Sequence, residues 1–256
     1  MKKILYRLLI VFMIISLVSC KSKTSPEQAE GGDMTMNILT PEEEEQGWKL
    51  LFDGETLNGW HSFLEDTITG WVVEDGTMKA LGMGGDIGGD IVSDDQFENF
   101  ELCLEWKIAP EGNSGILYLV VEDTAYNAVY ETGPEYQLLD DEGFPVPVNE
   151  EGEPEPLNDD QFTGSNYGMH PAQNKVLNPA GEWNTARIII NNGHVEHWLN
   201  GDKVVEYELW TDEWKELVQA GKWADYPGYG SAKKGHLALQ DHGSFVWFRN
   251  VKIKEL

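Results

Sequence analysis

Short segments of alternating apolar and polar residues, separated by turn residues, recur along most of the chain and constrain its fold more than any other feature. Asp75-Gly76 and Asn192-Gly193 each lie between two such segments, and these dipeptides adopt the left-handed backbone that tight β-hairpins require. Counted in this way, the sequence predicts at least eight strands, most of them joined by local turns.

Helix signals are few. The sequence predicts one short helix that begins after Thr40 and a second over Asp212–Ala220, which Gly221 ends. Many strands with local turns and one or two short helices are typical of an all-β sandwich or jelly roll, and they argue against a parallel α/β sheet.

The N-terminus has the pattern of an export signal. Three basic residues precede an apolar run at residues 8–18, and Cys20 follows at the expected cleavage point, as in bacterial lipoproteins. We therefore predict a signal peptide at residues 1–19, lipidation of Cys20, a flexible tether over residues 20–40 and a single domain over residues 41–256. The protein is then expected on the periplasmic side or outer surface of a membrane, which it contacts only through its lipid anchor.

The charge balance excludes one class of partner. The chain has 18 basic and 45 acidic residues, which gives a net charge of −27. A surface this negative repels phosphate backbones, so a nucleic acid is not an expected partner. The chain also has ten tryptophans, whose rings suit stacking against a neutral sugar.

The C-terminal run, residues 235–256, predicts two strands joined by a polar corner. One face of the resulting sheet is expected in the core. The other face is expected to display Gln240, His242, Trp247 and Arg249, which are an amide, a titratable ring, a stacking surface and a bidentate cation. A polar ligand needs such a mixture.

Two further predicted strands carry polar side chains. Glu105 alternates with apolar residues in the strand that starts at Phe100, and Glu135 and Gln137 share one face of the strand over residues 135–140. If these faces line one sheet, we expect the three side chains to converge with the C-terminal polar residues in a single pocket.

By their sequences and their order, five motifs resemble the 3-keto-disaccharide hydrolase family over residues 47–256. The motifs are GWKLLFDGETLNGW, FELCLEWKI with GNSGILY, EYQLLD, GEWNTARIIINNGHVEHWLNG and GHLALQDHGSFVWFRNVKIKEL. The resemblance implies a concanavalin- or laminarinase-like jelly-roll β-sandwich. It also implies a neutral glycoside oxidised at C3 as the substrate, supplied by a companion nicotinamide-dependent oxidoreductase.

The reaction that this resemblance implies is removal of the C2 proton, β-elimination of the C1 substituent and hydration. We expect His242 or Glu135 as the base, Arg249 as the enolate stabiliser and Glu105 as an acid or metal ligand. A divalent metal ion held by Glu105, Glu135 and His242 is a candidate cofactor. The residues expected to orient the sugar are Asn113, Gln137, His170, Gln240 and Trp247.

Two alternatives stay open at this stage. A conventional laminarinase-type glycoside hydrolase needs two carboxylates about 5 Å apart, for which Glu135 and Asp140 are the candidates. Residues five apart face opposite sides of a regular strand, however, and Gln137 stands where those enzymes carry a carboxylate. A non-catalytic carbohydrate-binding module would explain the tryptophans but would leave the polar residues without a role.

Overall fold

The computed structural model describes residues 36–84, 89–149 and 151–256. In these ranges the chain forms two facing antiparallel β-sheets and two short helices, which confirms the predicted all-β jelly-roll sandwich. The predicted signal peptide and Cys20 lie outside the described residues and stay predictions. No helix of the described part is both long enough and apolar enough to cross a membrane.

Thirteen strands make up the two sheets of the described chain. They are β1 (Lys49–Leu50), β2 (Trp60–Ser62), β3 (Trp71–Glu74), β4 (Thr77–Leu81), β5 (Ile91–Phe97), β6 (Phe100–Ile108), β7 (Asn113–Val120), β8 (Glu135–Leu139), β9 (Asn184–Asn191), β10 (His194–Leu199), β11 (Asp202–Glu208), β12 (Gly235–Leu239) and β13 (Phe245–Glu255). The larger sheet has the order β11-β10-β9-β6-β13-β4-β3, with β1 also paired to β13. The smaller sheet has the order β2-β5-β12-β7-β8.

The core lies between the sheets and follows from strand alternation. In β6, Leu102, Leu104 and Trp106 are each at most 3% exposed and belong to the main apolar cluster, whereas Glu101 and Glu105 point to the opposite face. Burial of each large apolar side chain contributes about 1.5–3 kcal/mol relative to leaving it in water. The larger sheet therefore has one apolar inner face and one polar outer face.

The polar corner between β12 and β13 joins the two sheets. β12 pairs with β5 and β7 in the smaller sheet, and β13 pairs with β4 and β6 in the larger one. The prediction that both C-terminal strands present their polar residues on one face is therefore wrong. Residues before the corner face out of one side of the sandwich, and residues within β13 face out of the other.

Both helices begin where the sequence predicts. Helix α1 (Pro41–Glu45) begins with a capping box between Thr40 and Glu43, and helix α2 (Asp212–Ala220) begins at a cap made by the Thr211 side chain. A 3₁₀ turn, Lys222–Asp225, follows α2 directly.

The folded domain begins before the predicted end of the tether. Asn37 is 8% exposed, and its backbone and side chain exchange hydrogen bonds of 2.6 and 2.8 Å with Asn250. Its amide also donates to the backbone oxygen of Gly76 at 2.8 Å. Asn37 thus packs on the sandwich, although it lies in the segment that the sequence predicts as a tether.

Candidate functional site

A cavity of about 240 Å³ opens on the outer face of the smaller sheet, where β7, β8 and the end of β12 lie side by side. Its walls come from three connecting segments that contribute aromatic side chains and one lysine. The lining residues are Asn113, Tyr130, Glu135, Gln137, Tyr167, Lys222, Trp223, Tyr226, Gln240 and His242. A volume of this order holds one sugar ring more readily than an extended oligosaccharide.

Gly115 makes room for the carboxyl group of Glu135. The glycine lies on β7, diagonal to Glu135 on β8, and a Cβ atom added to it would stand 2.2 Å from Glu135 Oε1. Any side chain at this position would displace the carboxyl group. A glycine is therefore required because the Glu135 carboxyl group lies against the β7 backbone, and not because the chain turns there.

Glu135 is a buried acid. Glu135 is only 5% exposed, and no hydrogen bond from a described residue contributes to the pKa of its carboxyl group. Burial raises the pKa of Glu135 to about 8, since a carboxylate loses its hydration there; the charge of Lys222 opposes the shift and that of Asp90 adds to it. The raised pKa favours the protonated form of Glu135, which can donate a proton.

Two glutamine amides lie beside this acid. Gln137 is 2% exposed, and its Nε2 donates to Asn113 Oδ1 at 3.3 Å and to the backbone oxygen of Gln161 at 3.2 Å. Oε1 of Gln137 and Oε1 of Gln240 are both buried, and neither has a partner among the described residues. Unsatisfied buried acceptors are uncommon, and in a cavity they indicate a place where a ligand donates.

Lys222 brings a positive charge to the mouth of the cavity. Its ammonium lies 4.3 Å from the ring centre of Tyr167 and 4.4 Å from that of Trp223, and the Trp223 indole donates to the backbone oxygen of Tyr167 at 3.2 Å. Loss of hydration lowers the pKa of Lys222, against the opposing charges of Glu135 and Asp160. The described carboxylates act on this lysine only through their charges and not through a hydrogen bond, which leaves it available to a developing negative charge on a ligand.

Sequence reasoning missed this wall. The prediction stopped at the end of α2, although the residues that follow, GKWADYPGYG, are dense in aromatic side chains. That density was the available signal. Backbone hydrogen bonds explain the position of Tyr167 in this wall. Residues 164–167 run beside β8, where the N–H of Gly164 donates to the backbone oxygen of Gln137 and the N–H of Tyr167 donates to that of Glu135.

His242 lies in the corner between the two sheets, and it is exposed. The neighbouring Asp241 is 2% exposed, and its carboxylate accepts hydrogen bonds from the backbone N–H groups of Met83 and Gly243. Its own N–H donates to Asp90 Oδ1 at 3.0 Å. Burial raises the pKa of Asp90 to about 7. These bonds fix the corner and hold the imidazole at the rim of the cavity.

The structure therefore brings together only part of the predicted set. Glu135, Gln137, Gln240, His242 and Asn113 line one cavity, as the sequence predicted.

Glu105, Arg249 and Trp247 do not reach this cavity, because they lie on the outer face of the larger sheet. Arg249 and Glu105 are paired across β13 and β6, with Nε and Nη2 of the arginine 2.8 and 2.7 Å from the same carboxylate oxygen. Asn250 donates to the other carboxylate oxygen at 2.8 Å, and the guanidinium lies 4.1 Å from the ring centre of Trp183. The predicted convergence of Glu105 and Arg249 with Glu135 and His242 is therefore wrong, because the two residues pair with each other on the larger sheet and do not line the cavity.

Trp247 and His170 are also elsewhere. The ammonium of Lys107 lies 4.6 Å from the ring centre of Trp247, on the same outer face of the larger sheet. His170 stacks on Tyr207 with ring centres 4.6 Å apart and lines a separate depression beside α2. Neither residue contacts the cavity as predicted.

The predicted metal ligands are not assembled either, since Glu105 is on the opposite sheet from Glu135 and His242. In the described part of the chain, one group of His and acidic side chains has ligand atoms within 4.8 Å of one another: His194, Glu196 and Glu206. They lie on β10 and β11, away from the cavity, and Lys203 already bridges the two carboxylates. The donor set of the cavity itself is one acid, one imidazole and three amides, which does not fit a divalent cation site with several carboxylates.

The fold and the cavity define a jelly-roll β-sandwich protein with a sugar-sized polar pocket on one sheet. Residues 47–254 match the family model of the 3-keto-alpha-glucoside-1,2-lyase-like domain, and the chain belongs to this family. Family membership identifies the protein as a glycoside-cleaving enzyme.

Individual relatives agree with this assignment. The 3-keto-disaccharide hydrolase of Bacteroides thetaiotaomicron is 34% identical to this chain, over the full length of both proteins. A crystal structure from Parabacteroides distasonis, described as a "putative glycosyl hydrolase", is 44% identical with a TM-score of 0.80, covering 86% of this chain and 99% of its own. A second such structure from that organism is 29% identical with a TM-score of 0.61, covering 82% and 99%.

Proposed function

We propose that this protein cleaves 3-keto-glycosides, including 3-keto-disaccharides, by removing the C2 proton, eliminating the C1 substituent and hydrating the product. Family membership and the name of the Bacteroides relative support this substrate class. The observation that carries the proposal is a single buried carboxyl group, Glu135, that shares a cavity with Lys222 and His242 and whose pKa is raised by burial.

A ketone at C3 changes what the site must do. It makes the C2 hydrogen acidic, because the electrons left on C2 delocalise onto the C3 oxygen. The C1–O bond can then break without an oxocarbenium ion. Such a reaction needs a base near C2, a positive charge or donor near the C3 oxygen, and a proton for the departing oxygen.

The cavity offers one group for each task. His242 takes the proton from C2, Lys222 stabilises the negative charge on the C3 oxygen, and the electrons of the enolate expel the C1 substituent. Protonated Glu135 gives its proton to the departing oxygen. The first product is a free alcohol or sugar and a 3-keto sugar with a double bond between C1 and C2.

Hydration returns the enzyme to its starting state. Ionised Glu135 takes a proton from the water that attacks C1, and protonated His242 returns a proton to C2. The sum of the two stages is hydrolysis, with no net change in the enzyme and no oxidant consumed.

The conventional glycosidase alternative lacks its second carboxylate. Within the described part of the chain, Glu135 is the single acidic residue that lines the cavity. Asp140 is 9% exposed and does not line it; its carboxylate accepts the backbone N–H groups of Glu111 at 2.8 Å and Gly143 at 3.1 Å. This arrangement is that of a turn-stabilising carboxylate, and the pair needed for retaining or inverting hydrolysis is not formed.

The test is to incubate the purified protein with the 3-keto derivative of an α-linked glucose disaccharide and, separately, with the unoxidised disaccharide. We expect cleavage of the ketone alone, with solvent deuterium incorporated at C2 of the released 3-keto sugar. Cleavage of the unoxidised sugar would instead indicate an ordinary glycosidase. Binding without cleavage of either sugar would indicate a carbohydrate-binding module.

A further inference from the structure

The side-chain amide of Gln137 has only one orientation that its surroundings allow. Its Nε2 faces two acceptors, Asn113 Oδ1 and the backbone oxygen of Gln161, at 3.3 and 3.2 Å. If the amide were turned over, its oxygen would face the backbone oxygen of Gln161, which cannot donate, and that hydrogen bond would be lost. The carbonyl end is therefore directed away from this backbone oxygen by the protein itself.

This fixed carbonyl oxygen has no donor. Gln137 is 2% exposed and lines the cavity, and its Oε1 has no hydrogen-bonding partner in the described part of the chain. The oxygen has given up water on folding and has received nothing in return, so a ligand that donates to it recovers a hydrogen bond that the free protein lacks.

The acceptor also determines which part of an oxidised sugar can lie beside it. A ketone oxygen carries no hydrogen and would oppose a carbonyl oxygen, whereas a hydroxyl group can donate. The C3 ketone is favoured instead beside Lys222 and Glu135, which line the same cavity and can supply a positive charge and a proton. The groups that line the cavity thus differ in which part of the ring they can receive.

We propose that Gln137 is a specificity-determining residue whose Oε1 accepts a hydrogen bond from one hydroxyl group of the sugar ring, at a position other than C3. This inference rests on the proposed function, namely that the cavity holds an oxidised glycoside. It identifies the preferred substrate as a ring that keeps this hydroxyl group, and it orients the ring with its ketone toward Lys222. Gln240, whose Oε1 is also unpartnered, faces the same cavity.

The experiment measures binding without turnover. The unoxidised α-linked glucose disaccharide and its set of monodeoxy derivatives are titrated calorimetrically into the wild-type protein, the Gln137→Met variant and the Gln173→Met variant. Gln173 is exposed on a loop, and its side chain donates only to the backbone oxygen of Pro171, so its variant is the matched control.

For the wild-type protein we expect one deoxy derivative to bind about 10–100-fold more weakly than the parent sugar, the loss that follows when a buried acceptor is left unpaired. In Gln137→Met we expect the parent and this derivative to bind equally, while discrimination at the other positions is kept. Gln173→Met should behave as the wild type.

Two results would overturn the inference. One is a wild-type protein that does not bind the disaccharide or does not discriminate among the deoxy derivatives. The other is a Gln137→Met protein that binds all sugars more weakly by the same factor, since that indicates a purely structural residue. Failure of the proposed function is separate, because it is measured as absence of cleavage of the 3-keto sugar.

Discussion

The outer faces of both sheets carry buried or half-buried polar side chains, but in the described part of the chain these are paired on the larger sheet and partly unpaired on the smaller one. On the larger sheet, Glu105 and Arg249 form a two-point ion pair, and Glu101 accepts from Arg187 at 2.6 Å and from Lys254 at 2.9 Å. On the smaller sheet, Glu135 is buried, and the side-chain oxygens of Gln137 and Gln240 have no hydrogen-bonding partner among the residues that the structure describes.

The two outer faces differ in whether their polar groups have hydrogen-bonding or ionic partners, more than in which polar groups they carry. A carboxylate that is paired and hydrogen-bonded in the free protein holds strands together, and it has no capacity left for a ligand. Buried carboxyl and amide groups without partners lower the stability of the folded protein. They are typical of sites where a bound substrate supplies the missing hydrogen bonds. The three predictions below test this contrast, with the largest effect first.

Glu135→Gln should reduce kcat/KM for a 3-keto-disaccharide by about 10²–10⁴-fold, the contribution of a positioned general acid. The matched Glu105→Gln variant should keep its activity, although it should lose about 1–3 kcal/mol of unfolding free energy because Arg249 loses a charged partner. Steady-state kinetics and thermal unfolding of both variants provide the comparison. Equal activity losses in the two variants would contradict the assignment of different roles to the two faces.

Lys222→Met should reduce kcat by about 10²–10³-fold, because the enolate loses its nearest positive charge. Arg249→Met should leave kcat unchanged and lower the melting temperature. The ratio of the two kcat values is the quantity to measure. A slow Arg249→Met enzyme together with a fully active Lys222→Met enzyme would return the enolate-stabilising role to the residue that the sequence had suggested.

The stability of the protein should report the buried acid directly. The pKa of Glu135 is raised from 4.5 to about 8 on folding, so this group favours the native state below about pH 4.5 and loses that contribution as the pH rises toward 8. The Glu135→Gln variant has no ionisable group at this position, so it does not lose stability in this way as the pH rises. The difference in unfolding free energy, variant minus wild type, should be about 1–4 kcal/mol larger at pH 8 than at pH 5.

Urea unfolding of the wild type, Glu135→Gln and the exposed-site control Gln173→Met at both pH values measures this difference. A gain that does not change with pH would show that Glu135 ionises as easily in the native state as in the unfolded chain.

Much of the fold was predictable because its signals are local. The turns at Asp75-Gly76 and Asn192-Gly193 connect β3 to β4 and β9 to β10, and β6 starts at Phe100 as predicted. Strands β2, β5 and β11 were not predicted. In β5 three consecutive polar residues are exposed, so its strand character depends on pairing with β2 and β12 and not on its own alternation.

The site was predictable in part for the same reason. Glu135 and Gln137 share a face of one strand, which alternation alone requires. Lys222 could not be placed, because its position depends on contacts between a 3₁₀ turn and the distant Tyr167. Arg249 was misplaced because nothing in the polar corner indicates that the chain passes there from one sheet to the other.

The sequence by itself determined most of the segments that become strands, which residues alternate toward the core, and which chemical groups the chain has available. Alternation defines two faces for every strand, but it contains no information about the sheet that the strand joins or about its neighbours there. Only the tertiary structure decided that Gln240 and His242 lie with Glu135 while Arg249 lies with Glu105, because pairing between strands far apart in sequence fixes that choice.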